Sequence, residues 1–163
     1  MNMFIKSNFL STKQKVARTI LGILIFLTLA FIFVQSILPP DVANAEADIA
    51  SDIVEEVIGE DSPASEVAVD NIDKIAHLTE FGLLGLFVSL YVLHFAKRLI
   101  LSFLPMIGFA SAIAIIDETI QIFSGRTPDT VDALFDVIGF SIISILTYIV
   151  FFAIRSAKRK RNF

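Results

Sequence analysis

The sequence predicts an all-α, polytopic integral membrane protein with four transmembrane helices and both termini in the cytoplasm. Three observations carry that prediction. Of the 163 residues, 55% are hydrophobic and only 18% charged, with a mean hydropathy of +0.77; this is too apolar for a soluble domain of such length. The apolar residues fall into four blocks near the ~20 residues that a helix needs to cross the hydrocarbon core. Eleven of the thirteen Lys and Arg lie in the N-terminal tail, one short loop and the C-terminal tail. One orientation puts all three clusters in the cytoplasm.

Residues 1–18 form a basic tail whose only charges are Lys6, Lys13, Lys15 and Arg18. The first block, residues 19–38, spans once. A cleaved signal peptide is its rival reading, because Ala43, Asn44 and Ala45 match a small-residue cleavage site; the apolar run is nearer twenty residues than ten, which favours a retained span. Residues 39–74 make a strongly acidic outer loop. Within it, the stretch AEADIASDIVEEVIGEDSP places Ile49, Ile53 and Val57 at helical spacing, with Val54 and Ile58 one step round. That spacing predicts a short amphipathic helix on the outer membrane face, ended by Gly59 and Pro63. A solvated acidic linker is the alternative.

The core, residues 75–154, holds the other three spans. Residues 75–95 and 99–116 are expected to form a tight helical hairpin about Lys97 and Arg98, with Pro105 kinking or loosening the third helix. His94 reads as an interfacial residue near that turn. Residues 131–154 run into a second basic tail, residues 155–163, anchored by Arg155, Lys158, Arg159, Lys160 and Arg161. Gly82, Gly85, Gly139, Ser141 and Ser144 are small positions that let helices approach closely. With the basic residues spent on orientation, nucleic acid is not an expected partner. The absence of cysteine excludes disulfides, thiolate metal sites and a cysteine nucleophile.

Charged side chains in spanning segments are costly and generally pair or face a water-filled interior. Here they fall at one depth. The start of the second span, NIDKIAHLTEFGLLG, puts Asp73, His77 and Glu80 on one helix face by their spacing of four and three. The end of the third, IIDETIQIFSGR, sets Asp117 and Gln121 four apart with Glu118 beside them. The fourth opens with PDTVDALFDVIG, where Asp129, Asp132 and Asp136 share a face. Three helix ends thus bring acidic stripes to the outer boundary, and with them one histidine, Lys74 and Arg126. The plainer reading is that of solvated helix ends, and it suits Asp129, placed where a helix dipole favours anions, and Asp73. Asp132, Asp136, Glu80 and Asp117 point back into apolar sequence, where that reading is weaker; Arg126 and Lys74 can offset part of the charge.

Three chemistries fit such a set. Paired carboxylates in a poorly solvated pocket can divide acid and base roles. His77, between Asp73 and Glu80, can act as a general base. Histidine with carboxylates is also a hard divalent-metal set, but the spacing matches no ligand motif, so neither a metal nor another cofactor is expected.

The segments DKIAHLTEFGLLG (73–85) and DETIQIFSGRTPDTVDALFDVIG (117–139), with Ser36 and Pro39 closing the first helix, resemble the VanZ-like family of small bacterial membrane proteins. Asp73, Lys74, His77, Phe81, Asp117, Glu118, Gln121, Gly125, Arg126, Asp132 and Gly139 stand where the family pattern asks, over roughly residues 20–148. One position departs: the family's usual Asn before the glycine is Asp136 here, which adds a negative charge. The resemblance implies a four-helix protein of the bacterial cytoplasmic membrane, from a family named for low-level resistance to the glycopeptide teicoplanin. That name describes a phenotype rather than a reaction.

Together these readings give an expected function. An outward-facing polar pocket binds or modifies a cell-envelope or lipid-anchored molecule. Lys74, Gln121 and Arg126 contact an anionic lipid-linked ligand, and Asp73, His77, Glu80, Asp117, Glu118, Asp132 and Asp136 handle protons or orient it. The alternatives are a non-enzymatic module that binds a lipid or partner, and a proton- or cation-coupled carrier. Absence of charge in the inner halves of the spans argues against a continuous ion path.

Overall fold

The computed structural model describes residues 11–95 and 100–161, and every regular element among them is helical. The first helix, α1 (Thr12–Ile37), starts seven residues before the apolar block. The polar tail supplies its own start: the Ser11 hydroxyl accepts from the Gln14 N–H, and Gln14 Oε1 accepts from the Ser11 N–H at 2.9 Å. This reciprocal pair satisfies donors that a helix N-terminus otherwise leaves open.

The expected acidic loop is mostly helix. α2 (Pro40–Ile58) and α3 (Pro63–Val69) fill it. Gly59, at φ +103°, ends α2 as expected. Pro63 instead starts α3, at a first-turn position that needs no N–H donor, behind the Ser62 cap. α2 is amphipathic, and Ile49, Ile53 and Val57 on it are more than half exposed. The Ala43–Ala45 stretch lies inside this helix.

α4 (Ile72–Phe95), α5 (Phe103–Phe123) and α6 (Thr130–Arg161) complete the set. Each outruns its apolar block, because backbone hydrogen bonding carries a helix on where hydropathy stops. α5 includes the whole DETIQIF segment, and α6 keeps the basic residues to Arg161 as helix, reaching about 48 Å at ~1.5 Å per residue. Pro105 is the third residue of α5, where its missing N–H costs no helical bond, so it does not kink the helix. Lys97 and Arg98 lie outside the described residues.

α1, α4, α5 and α6 are each long and apolar enough to cross a membrane. Much of their apolar surface faces outward, as at Phe26, Phe31, Leu104, Ile115 and Ile149. The protein is a multi-pass membrane protein. α4 packs most closely on α6, where a Cβ on Gly85 would lie 2.5 Å from the Phe140 carbonyl oxygen and one on Gly139 would collide with the Leu78 backbone. α5 packs on α6 and α1, and α1 on α4, so the spans close a ring in the order α1, α4, α6, α5. α4 and α5, expected as a tight hairpin, sit across its diagonal and touch little. Ile32, Phe81, Leu84, Ala110, Ala114 and Phe140 fill the middle.

The two ends of the ring differ in charge. At the basic end, Arg18 Nε donates to Tyr91 Oη at 2.9 Å and its guanidinium lies 5.9 Å from the Tyr91 and Phe95 ring centres. His94 is exposed there, with Nδ1 bonded to the Leu90 carbonyl at 2.7 Å. At the acidic end, the gap between the diagonal helices α4 and α5 opens into a cavity.

Candidate functional site

The cavity holds about 190 Å³ and is walled by α1, α2, α4, α5 and the loop after α5. On the α2 side the wall is Ala43, Ala47 and Ala50, whose small side chains leave space, together with Glu46, which accepts from Gln35 Nε2 at 3.0 Å. The α4 wall carries Asp73, His77 and Glu80, the face that their spacing predicts. From the other side come Asp117, Gln121 and Arg126.

Arg126 owes its place to the way α5 ends. Gly125 takes φ +83°, its N–H donates to the Ile122 carbonyl at 3.2 Å, and the Arg126 N–H donates to the Gln121 carbonyl at 3.0 Å. This pair of bonds closes a helix through a left-handed residue, which is where glycine is needed. The space beside Gly125 is open, so backbone conformation, not close approach, is what requires glycine here. Among the described residues neither Arg126 nor Lys74 forms an ion pair; the Lys74 ammonium donates to Asn71 Oδ1 at 3.1 Å and stands apart from the cavity.

His77 is the hub. It is 8% exposed, and its Nδ1 lies 2.9 Å from Asp136 Oδ1 and 3.9 Å from Asp117 Oδ2. Asp136 is fully buried behind it, off the cavity wall. Asp117, 3% exposed, accepts from the Ser36 hydroxyl and from Gln121 Nε2 at 3.1 Å. Ser36 is also buried, with its hydroxyl 2.8 Å from the Ile32 carbonyl.

The remaining candidates also come close to His77. Ligating atoms of His77, Glu118 and Asp132 lie within 4.8 Å of one another; Glu118 and Asp132 are outside the cavity lining. Glu118 Oε2 accepts the Asp129 N–H at 2.9 Å and so fastens the loop between α5 and α6. Asp129 itself caps α6, its carboxylate accepting from the Val131 N–H at 2.8 Å. The solvated helix-end reading fits Asp129 and the exposed Asp73; it does not fit Asp117 or Asp136.

The sequence model of the VanZ/LLP1 family matches residues 20–152. The chain belongs to the VanZ/LLP1 family. Neither a curated protein nor a solved structure matches it significantly. With four spans and this family, the protein is a multi-pass protein of the bacterial cell membrane.

The VanZ/LLP1 match takes in α1, which gives Ile32 to the core and Ser36 to Asp117. Ser36 is the member of the site that sequence reasoning did not place there. Its signal was a hydroxyl just ahead of the helix-closing Pro39, at the same outer boundary as the acidic stripes. Asp136 faces the one histidine at this end. As a carboxylate it accepts from His77 Nδ1–H and can balance an imidazolium, which an amide cannot do.

Proposed function

We propose that this VanZ/LLP1 protein binds or modifies the anionic headgroup of a lipid-anchored cell-envelope molecule in an outward-facing cavity. One observation carries the reading: Arg126, not paired with any described carboxylate, lines the cavity beside Gln121 and Asp117 and across from His77. A guanidinium offers a planar fork suited to phosphate or carboxylate. About 190 Å³ is below the usual range for drug-sized ligands, which favours a headgroup over a whole glycopeptide. Teicoplanin tolerance, implied by the family resemblance, would then follow from a changed envelope molecule and not from enclosure of the drug.

Asp117→Asn keeps the shape of the side chain and removes its charge. The variant is expected to lose both teicoplanin tolerance and envelope-lipid turnover in cells, at normal membrane abundance. Tolerance lost with turnover intact would favour the non-enzymatic binder. Wild-type behaviour in both would end the proposal.

The orientation rests on the positive-inside rule, with Lys13, Lys15 and Arg18 near the start of α1 at the same end as Lys158, Arg159, Lys160 and Arg161 of α6. In this orientation α2 lies along the outer face, with Ile49, Ile53 and Val57 available to the interface. Single cysteines at the exposed positions Asp61 and Ser156 test it in a chain that has no cysteine. An impermeant thiol reagent added to intact cells should label position 61 and spare position 156; the reverse pattern would invert the topology.

A further inference from the structure

The buried carboxylate of Asp136 is under-satisfied. Its Oδ1 meets His77 Nδ1, but Oδ2 has no hydrogen-bond partner although the residue is fully buried, and Glu118 Oε1 is likewise buried without one. Buried polar atoms are nearly always paired, so an orphan oxygen here calls for a partner that the protein's own donors do not supply. Ligating atoms of His77, Asp117 and Asp136 also lie within 4.8 Å of one another.

We infer that His77, Asp117 and Asp136 form a binding site for a divalent cation of the Mn²⁺ class. The separations suit it. Ligands at about 2.1 Å from an octahedral ion stand about 3 Å apart when adjacent and about 4.2 Å apart when opposite. The 2.9 Å and 3.9 Å from His77 Nδ1 to its two carboxylates fall at or near these values. Two carboxylates with one imidazole make a donor set hard enough for Mn²⁺ while using the nitrogen that Mg²⁺ and Ca²⁺ do not favour.

On binding, the ion takes the place of the proton that His77 Nδ1 shares with Asp136, and that proton leaves to solvent. His77 and Asp117 open onto the cavity, which gives the ion a way in and leaves coordination positions facing the space where a ligand would lie. The sequence spacing hid the set because its members come from three helices. The inference rests on this geometry and stands apart from the envelope-ligand reading.

The full chain, purified in detergent, stripped with chelator and titrated with Mn²⁺ alone, provides the test. The chain has two histidines, so His94→Ala, altered at the exposed basic end, leaves His77 as the sole imidazole. Spin-echo spectra of bound Mn²⁺ in that variant should show nitrogen modulation from one imidazole. Asp117→Asn should weaken Mn²⁺ binding at least tenfold, and Asp70→Asn, on the exposed acidic surface, should leave it unchanged. Bound Mn²⁺ without nitrogen modulation would place the ion on surface carboxylates and overturn the site; so would no binding at all. Should Asp117→Asn fail to fold, the echo spectrum of the His94→Ala protein still decides the question.

Discussion

Replacing His77 with alanine is expected to cost about 3–5 kcal/mol of stability, the range for removing one partner of a buried charged pair. The cause lies in what is left behind. Asp136 is fully buried, its Oδ1 is held by His77 and its Oδ2 has no partner, so the variant strands a carboxylate with neither oxygen bonded. The same change empties the volume of a buried ring on α4. Asp136→Asn in the His77→Ala background should recover part of the loss, because an amide is cheaper to bury than an unpaired charge. Thermal unfolding of the purified chains gives the comparison. A His77→Ala protein as stable as wild type would mean that Asp136 finds water or is neutral in the fold. Absence of any recovery in the double variant would attribute the loss to the cavity alone.

Arg126→Lys separates two roles for the guanidinium. If Arg126 only offsets nearby carboxylates, lysine keeps the charge and most of the function. If it grips an anionic headgroup with a bidentate fork, lysine should lose about 1–3 kcal/mol, the range for charge-assisted hydrogen bonds. That is roughly a five- to 150-fold rise in the ligand concentration needed for half effect. We expect the larger effect, since Arg126 makes no ion pair with any described carboxylate. The variant should fold, because α5 is closed by the Arg126 backbone N–H and by Gly125, not by the side chain. Full activity of Arg126→Lys at limiting ligand would assign the residue to charge balance.

How much of the site is legible in the sequence depends on the range of the interaction involved. The Asp73, His77 and Glu80 face is local, set by helical spacing within one span, and all three line the cavity. Arg126 after Gly125 is also local. Lys74 was grouped with Arg126 on charge alone, yet it turns to Asn71 three residues back; sign of charge does not specify direction. The helices extend beyond the apolar blocks for a related reason. Hydropathy marks the depth of the hydrocarbon, whereas the backbone of α5 stays hydrogen-bonded through Asp117, Glu118 and Gln121 until Gly125 stops it. In the acidic segment, the spacing of Ile49, Ile53 and Val57 marks α2, while the short α3 carries no comparable stripe.

By itself the sequence determined the all-α class, the four spans and the gathering of charge at one end, because each depends on hydrophobic burial and on periodicities within a segment. It also carried the family, whose sequence model matches residues 20–152. Only the tertiary structure decided which helices are neighbours. Gly85 and Gly139 draw α4 against α6 and leave α4 and α5 on a diagonal, and that arrangement makes the cavity. It also brings His77 to Asp136, 59 residues away, and Ser36 to Asp117, 81 residues away. Such contacts follow from backbone approach between helices, a property of their paired surfaces that no single segment encodes.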